Sequence, residues 1–253
     1  IITDLIADLD SSSGNAVMSG FQVIDKTYGG FCPPDLWIIA ARPSMGKTTF
    51  AVNCAANAAR LGKRPVYFTA EMRDTQIALK EISRMARVPL TTIRSQTMTT
   101  SELDRFVAAS HEICNLTWTL NFAAAREIES IENETRRLHR KGLCDIVFID
   151  YLQLIRAAGK WDSRHQEIAY ITGRLKKIAI DLNIPVVACA QVNRELDKTG
   201  KKPNWRTMLT MLKDSGSIEQ DADVVMFIDG EERSNEIELI FAKVRFGDRL
   251  RAK

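Results

Sequence analysis

The sequence predicts an α/β domain whose mainly parallel sheet is flanked by helices on both faces. Three observations carry this reading. Residues 36–41 (LWIIAA), 145–150 (DIVFID) and 184–190 (IPVVACA) are apolar almost throughout, as strands buried on both faces must be. Segments of helical length and period separate them. The first run leads directly into a Gly-Lys turn that opens an alanine-rich helix. In such a sheet ligands sit beyond the carboxyl ends of the strands, and the chemically informative residues fall there.

Taken in order, the opening residues 1–10 are apolar and acidic, and SSSGN breaks them. Residues 1–16 therefore read as the tail of an upstream element with a flexible join, and 17–253 as one domain. After the strand 36–41 and its turn, a helix is expected over 47–60, then the strand 65–69 (PVYFT) and helical patterns through Arg87. Ser101 is read as the cap of another helix, with Glu102 and Asp104 in its first turn. Residues 123–141 read as an amphipathic helix with acids early (Glu127, Glu129, Glu132, Glu134) and bases late (Arg136, Arg137, Arg140, Lys141). That order suits the helix dipole, and Glu132 with Arg136 makes an i,i+4 pair. The basic run there reads as a solvated face rather than a nucleic-acid site, and Gly142 ends the helix. A helix over 166–182 leads into the strand 184–190, and 224–228 and 236–242 are further strand candidates.

Composition narrows the function classes. The 253 residues are 45% apolar and 26% charged, which excludes disordered, collagen-like and fibrous proteins and suits one large domain. No run of about 18 apolar residues is present, so no membrane partner is expected. The start carries Asp4, Asp8 and Asp10 and no base, unlike a secretory leader. The five cysteines lack close pairing and are expected to be reduced, three of them in apolar core patterns, which suggests a cytoplasmic protein. The three histidines are scattered and give no metal-site spacing. A net charge of +3, from 35 bases and 32 acids, argues against coating of duplex nucleic acid but allows a local phosphate-binding patch.

The strongest signal is the turn 41–48 (ARPSMGKT) between the first strand and its helix. A phosphate chain needs convergent backbone N–H groups, a positive helix end, a mobile ammonium and a hydroxyl for Mg²⁺. Gly46 lets the backbone close round the β-phosphate, Lys47 reaches the β/γ oxygens, and Thr48 ligates Mg²⁺. Ser44 and Thr49 complete the expected ATP-binding set. Ala41 stands where the usual P-loop pattern has its first glycine. Asp150 ends its strand after four apolar residues, where a Walker B-type carboxylate that holds Mg²⁺ should be. Glu71, just after the strand 65–69 and expected next door to the P-loop, is the candidate general base for the attacking water. Gln191 closes the strand 184–190 and can sense the γ-phosphate without rivalling that base.

These residues, in these contexts, resemble the ATPase domain of the bacterial and phage replicative DNA helicases, the DnaB family with its RecA-like P-loop NTPase core. AARPSMGKT is nearly that family's P-loop, IDYLQL (149–154) its Walker B region, 217–223 within DSGSIEQDADVVMF another signature, and FAKVRFG (241–247) its late Lys-x-Arg-x-Gly motif. The likeness spans about residues 17–248. TAEM (69–72) differs from the family's usual SLEM only before the glutamate. Residues 1–9 look like the end of the family's linker helix, and its N-terminal collar domain is not among these residues.

The resemblance implies ATP and Mg²⁺ as cofactors and a ring hexamer round single-stranded DNA, with each ATP between two subunits. It implies unwinding with 5′-to-3′ polarity, and primase and a helicase loader as partners of the full-length protein. On it, Lys47 and Thr48 match the phosphate and Mg²⁺ residues, Glu71 the catalytic glutamate, Asp150 the Walker B aspartate and Gln191 the coupling glutamine. Lys243 and Arg245 look like the pair that reaches a neighbouring subunit's γ-phosphate. The central-channel loop corresponds to about 198–216, with bases Lys198, Lys201, Lys202, Arg206 and Lys213 against the single acid Asp214. Lys213, Asp214 and Gly216 match loop residues that meet successive phosphates. Asp214, where the family commonly has glutamate, is expected to brace rather than bind, and Trp205 to anchor the loop rather than stack on bases.

Overall fold

The computed structural model describes residues 15–192, 208–210, 212, 215–230, 236–245 and 247–252. In chain order its elements are α1 (Gln22–Tyr28), β1 (Leu36–Ala41), α2 (Lys47–Arg60), β2 (Pro65–Thr69), α3 (Asp74–Ala86), α4 (Leu90–Ser95), α5 (Thr100–Asn115), β3 (Thr119–Asn121) and α6 (Ile128–Arg140). There follow β4 (Ile146–Asp150), a 3₁₀ turn (Leu152–Leu154), α7 (Arg164–Leu182), β5 (Val186–Gln191), α8 (Ser215–Asp221), β6 (Val224–Gly230), β7 (Ile237–Val244) and β8 (Arg251–Ala252).

The eight strands form one sheet in the order β3-β2-β4-β5-β1-β6-β7-β8. The first six of these positions pair in parallel, and β7 and β8 add antiparallel edges. Alternation along each strand divides the core between two faces. Leu36, Ile38, Ala40, Phe68, Ile149 and Ala188 pack with α6 and α7 on one side. Trp37, Ile39, Tyr67, Phe148 and Cys189 pack with α1 and α2 on the other. Every residue of β1 is buried, which is why the run LWIIAA carries no polar residue. Cys54, Cys144 and Cys189 are free thiols of this core, as the apolar patterns around them suggested.

Several local expectations are corrected. The α5 cap is Thr99, not Ser101: the Thr99 hydroxyl accepts from the Glu102 N–H while Glu102 Oε2 accepts from the Thr99 N–H at 2.8 Å. The amphipathic helix begins at Ile128 rather than at 123. Arg156 N–H donates to Arg126 O, and Ile128 N–H donates to Arg156 O, so 126–128 is tied to a neighbouring extended segment instead of to a helical turn. The bases of α6 do face charge partners on the surface: Arg136 binds Glu132 and Asp181, and Arg137 binds Glu134. β2 is not beside β1, because β4 and β5 stand between them. Glu71 is therefore next door to the end of β4 rather than to the turn after β1. Short α1, α4, β3 and β8 add elements that the sequence patterns did not single out. No helix among the described residues is long and apolar enough to cross a membrane.

Candidate functional site

Three parallel strands, β1, β5 and β4, end side by side, and each delivers a site residue from its carboxyl end. β1 releases the chain at Ala41 into the turn before α2. Gly46 caps α2 at φ 81°, a left-handed conformation that favours glycine, and a Cβ there would meet nothing within 4 Å. No side chain caps the helix, so its first N–H groups face the cradle as a ready anion site. Ser44, also at positive φ, is exposed, as is Thr49, while Thr48 is half-buried on the first turn of α2. Arg42 is turned away, pairing with Asp229 at 3.0 Å.

Lys47 and Asp150 meet at the centre. Lys47 Nζ lies 3.4 Å from Asp150 Oδ1 and 3.8 Å from the centroid of the Tyr151 ring. Asp150 is buried; Tyr67 Oη donates to its Oδ2 at 3.3 Å, while Oδ1 has no hydrogen-bond partner. Burial pushes the Tyr67 hydroxyl well above its ordinary pKa, and the Asp150 charge raises it further, so Tyr67 stays a neutral donor. A buried carboxylate oxygen without a hydrogen bond is costly unless a cation answers it. With the Thr48 hydroxyl nearby in the chain, this oxygen donor set fits a hard divalent cation.

Glu71 is exposed in the turn after β2. The buried Thr69 hydroxyl shapes that turn, accepting from Met72 N–H at 3.1 Å and donating to Met72 O at 2.9 Å. Ala70 N–H donates to Asp150 O at 2.9 Å, which fixes the Glu71 turn to the end of β4. Burial, then the charges of Glu71 and Asp150, raises the Tyr151 phenol above its usual value. Gln191 sits between these groups and the turn after β1. Its backbone is held by Gln153, whose Oε1 accepts from Gln191 N–H at 3.0 Å and whose Nε2 donates to Gln191 O at 3.3 Å. One residue on, Val192 forms an antiparallel bridge with Leu212.

Lys243 and Arg245 lie elsewhere. Val244 pairs with Val224 where β6 begins, whereas the phosphate-type turn follows Ala41, which pairs with Ile228. On the order of 13 Å of strand separates the two levels. Lys243 Nζ donates to Ala222 O at 2.6 Å and also to Glu219 O. Arg245 donates to Asp223 Oδ1 at 2.9 Å and Gln220 O at 3.0 Å. Asp223 is buried and also receives Lys176 at 2.5 Å and Leu36 N–H at 2.8 Å. Burial and then Arg245 lower the Lys243 pKa. Burial, with Asp223 beside it, raises the Asp35 carboxyl to about 6.

The structure thus brings Ser44, Gly46, Lys47, Thr48, Thr49, Asp150, Gln191 and the Glu71 turn to one end of the sheet, and leaves Lys243 and Arg245 at the other. Gly216 is exposed in the first turn of α8. Lys198, Lys201, Lys202, Trp205, Arg206, Lys213 and Asp214 lie outside the described residues, as do residues 1–14. Tyr67, Tyr151, Gln153 and Asp223 were not singled out from sequence. Tyr151 and Gln153 stood inside IDYLQL, and Asp223 closed the quoted 217–223 stretch, so position within a motif was the available signal.

With β5 interposed between the turn after β1 and the end of β4, and Gln191 at its tip, the sheet has the arrangement of a RecA-like ATPase fold. The chain belongs to the DnaB-like helicase C-terminal domain family, whose model matches residues 16–252. It is 39% identical to the replicative DNA helicase DnaB of Haemophilus influenzae over 258 residues, covering 96% of this chain and 54% of that protein. The DnaB of Pasteurella multocida is 37% identical over 256 residues, with the same coverage of 96% and 54%. This chain therefore spans about half the length of these relatives. A solved DnaB-like replicative helicase, described with its interactions with primase, superposes with a TM-score of 0.88 at 30% identity, covering 99% of this chain and 62% of that one.

Proposed function

We propose that this chain is the motor domain of an ATP-dependent DNA helicase that moves along single-stranded DNA and unwinds the duplex at the replication fork. The observation that carries this is the Lys47–Asp150 pair beside the uncapped N-terminus of α2, its buried Oδ1 met by the ammonium but by no hydrogen bond, in a chain of the DnaB-like family. ATP and Mg²⁺ fit these residues. The α2 amides, Ser44, Gly46, Lys47 and Thr49 would hold the phosphates, and Thr48 and Asp150 the metal, which would neutralise charge on the transferring phosphoryl group. Glu71 orients and deprotonates the attacking water, and Gln191 senses the γ-phosphate.

Lys243 and Arg245 sit too far from the chain's own phosphate turn to serve it. That distance supports action on a neighbouring subunit's nucleotide, hence a ring hexamer with ATP at the interfaces. In the ring, Arg206, Lys213 and Gly216, with Asp214 bracing, would line the channel and meet the strand's phosphates, moving 5′ to 3′. Sixfold repetition makes a nearly neutral chain a binder of a polyanion. Primase and a loader would meet the full-length protein in the cytoplasm. Strand separation by the full-length protein, compared with Glu71→Gln, tests the reading. Unwinding and DNA-stimulated turnover are expected in the wild type and lost in the variant. DNA-stimulated turnover without strand separation would leave a translocase, and unchanged unwinding in Glu71→Gln would remove Glu71 as the base.

A further inference from the structure

The ladder between β4 and β5 stops three residues before β5 ends. Val147, Phe148 and Ile149 pair with Val186, Val187 and Ala188, and then the chain turns away at Asp150. β5 continues to Gln191 beside β1. In a parallel strand successive residues send their N–H and C=O to opposite neighbours. Val192 N–H goes to Ala41 O on the β1 side, so the N–H and C=O of Gln191 face the side that β4 has vacated. Unpaired, they would be a loose end at the tip of the strand.

The Gln153 carboxamide supplies the missing rung. It offers an acceptor to Gln191 N–H and a donor to Gln191 O, as a peptide group of β4 would. Among side chains of this length, only an amide presents a donor and an acceptor together in this way. Gln153 is itself held: Arg164 donates to Gln153 O at 3.0 Å and to Ile155 O at 2.8 Å. Arg164 also binds Glu167, which receives Ala157 N–H at 3.0 Å. The turn after the metal carboxylate is thus locked, and it locks the tip of β5 in turn. Next to that tip, Val192 bridges Leu212 in antiparallel fashion.

We propose that Gln153 is a positioning residue that transmits the state of the Asp150 turn to Gln191 and to the adjoining Val192–Leu212 bridge. The proposal rests on the motor reading above. A shift of the Asp150 turn moves Gln153, and the two-bond rung drags the Gln191 backbone with it. Without the rung, the phosphate site and the Val192–Leu212 bridge respond independently. Nucleotide still binds and turns over, but DNA no longer accelerates turnover.

The test uses the full-length protein with Gln153→Leu, which removes donor and acceptor, and Gln153→Glu, which keeps an acceptor and loses the donor. Melting temperature, affinity for a fluorescent ATP analogue, DNA-free turnover and single-stranded-DNA-stimulated turnover are measured beside the wild type. Loss of two hydrogen bonds should reduce the stimulation ratio about tenfold or more, while analogue affinity and DNA-free turnover stay within about threefold. A merely structural role would lower melting temperature and all activities together. A folded variant with the wild-type stimulation ratio overturns the proposal, and Gln153→Glu decides if Gln153→Leu does not fold. A wild type that DNA does not stimulate overturns the motor reading and this inference with it. A stimulated wild type with an unchanged variant overturns this inference alone.

Discussion

Lys47 Nζ stands 3.4 Å from Asp150 Oδ1, a buried oxygen with no hydrogen bond of its own. The ammonium therefore answers Asp150's charge and also lies where phosphate oxygens would arrive. Breaking a buried pair from one side leaves the other charge stranded, which costs more than the pair contributes. Lys47→Met should abolish turnover and lower unfolding free energy by about 3 kcal/mol, read by urea denaturation. Adding Asp150→Asn should restore much of that stability and none of the turnover. Equal stability of Lys47→Met and wild type would mean that the pair is not coupled in solution.

The second prediction concerns Arg245. Its guanidinium is held by Asp223, which keeps Lys176 and Leu36 N–H as partners if the arginine is removed. Arg245→Ala should therefore fold and bind nucleotide. Loss of a trans-acting arginine should reduce turnover by about 10³. Mixing Arg245→Ala with Lys47→Met protein separates the two geometries. If Arg245 serves a neighbouring chain, mixed rings contain interfaces with both residues intact, and turnover reappears. If it serves its own chain, no mixture recovers activity.

Asp35 gives a pH signature. Burial, and Asp223 beside it, hold its carboxyl at about 6, above the ordinary 3.8. The folded state thus binds this proton more tightly than the unfolded chain. Its contribution to stability is fully present below about pH 4 and falls as pH rises through the window from about 4 to 6. Asp35→Asn removes this liability. It should raise the melting temperature by several degrees at pH 8, corresponding to about 2 kcal/mol, and have little effect near pH 4. A pH-independent effect would assign the change to lost hydrogen bonding instead.

Much of this site was legible because its residues follow strands whose apolar runs are unmistakable. β1 and β2 begin and end where composition places them, since a strand buried on both faces admits few polar interruptions, and α2 follows from the Gly-Lys turn that opens it. Sheet order was not legible. Nothing in 65–69 reveals that β4 and β5 will later fill the gap between β2 and β1, so Glu71 was assigned to the wrong neighbour. Gln153 escaped notice for a similar reason. Its role depends on a ladder ending at Ile149 while β5 runs on to Gln191, a relationship between two strands distant in sequence. The late start of α6 was hidden too, because Arg156, which captures the backbone of 126–128, comes from beyond β4.

The last prediction concerns Lys213, one of five bases from 198 to 216 against a single acid, Asp214, in the sequence. Charge neutralisation on single strands releases counterions, and the logarithm of affinity falls against the logarithm of salt with a slope of about −0.7 per phosphate contact. In the proposed ring, one lysine per subunit would present several copies to the same strand. Lys213→Ala should therefore weaken binding of every DNA sequence alike and flatten the salt slope, by about 0.7 for each subunit whose Lys213 was engaged. DNA-free turnover should stay near wild type, since the candidate phosphate site stands at the ends of β1, β4 and β5. Fluorescence anisotropy on a labelled oligonucleotide across a salt series reads both effects. An unchanged slope would mean that Lys213 does not meet the phosphates, and a slope change of several units would show that most subunits hold the strand at once.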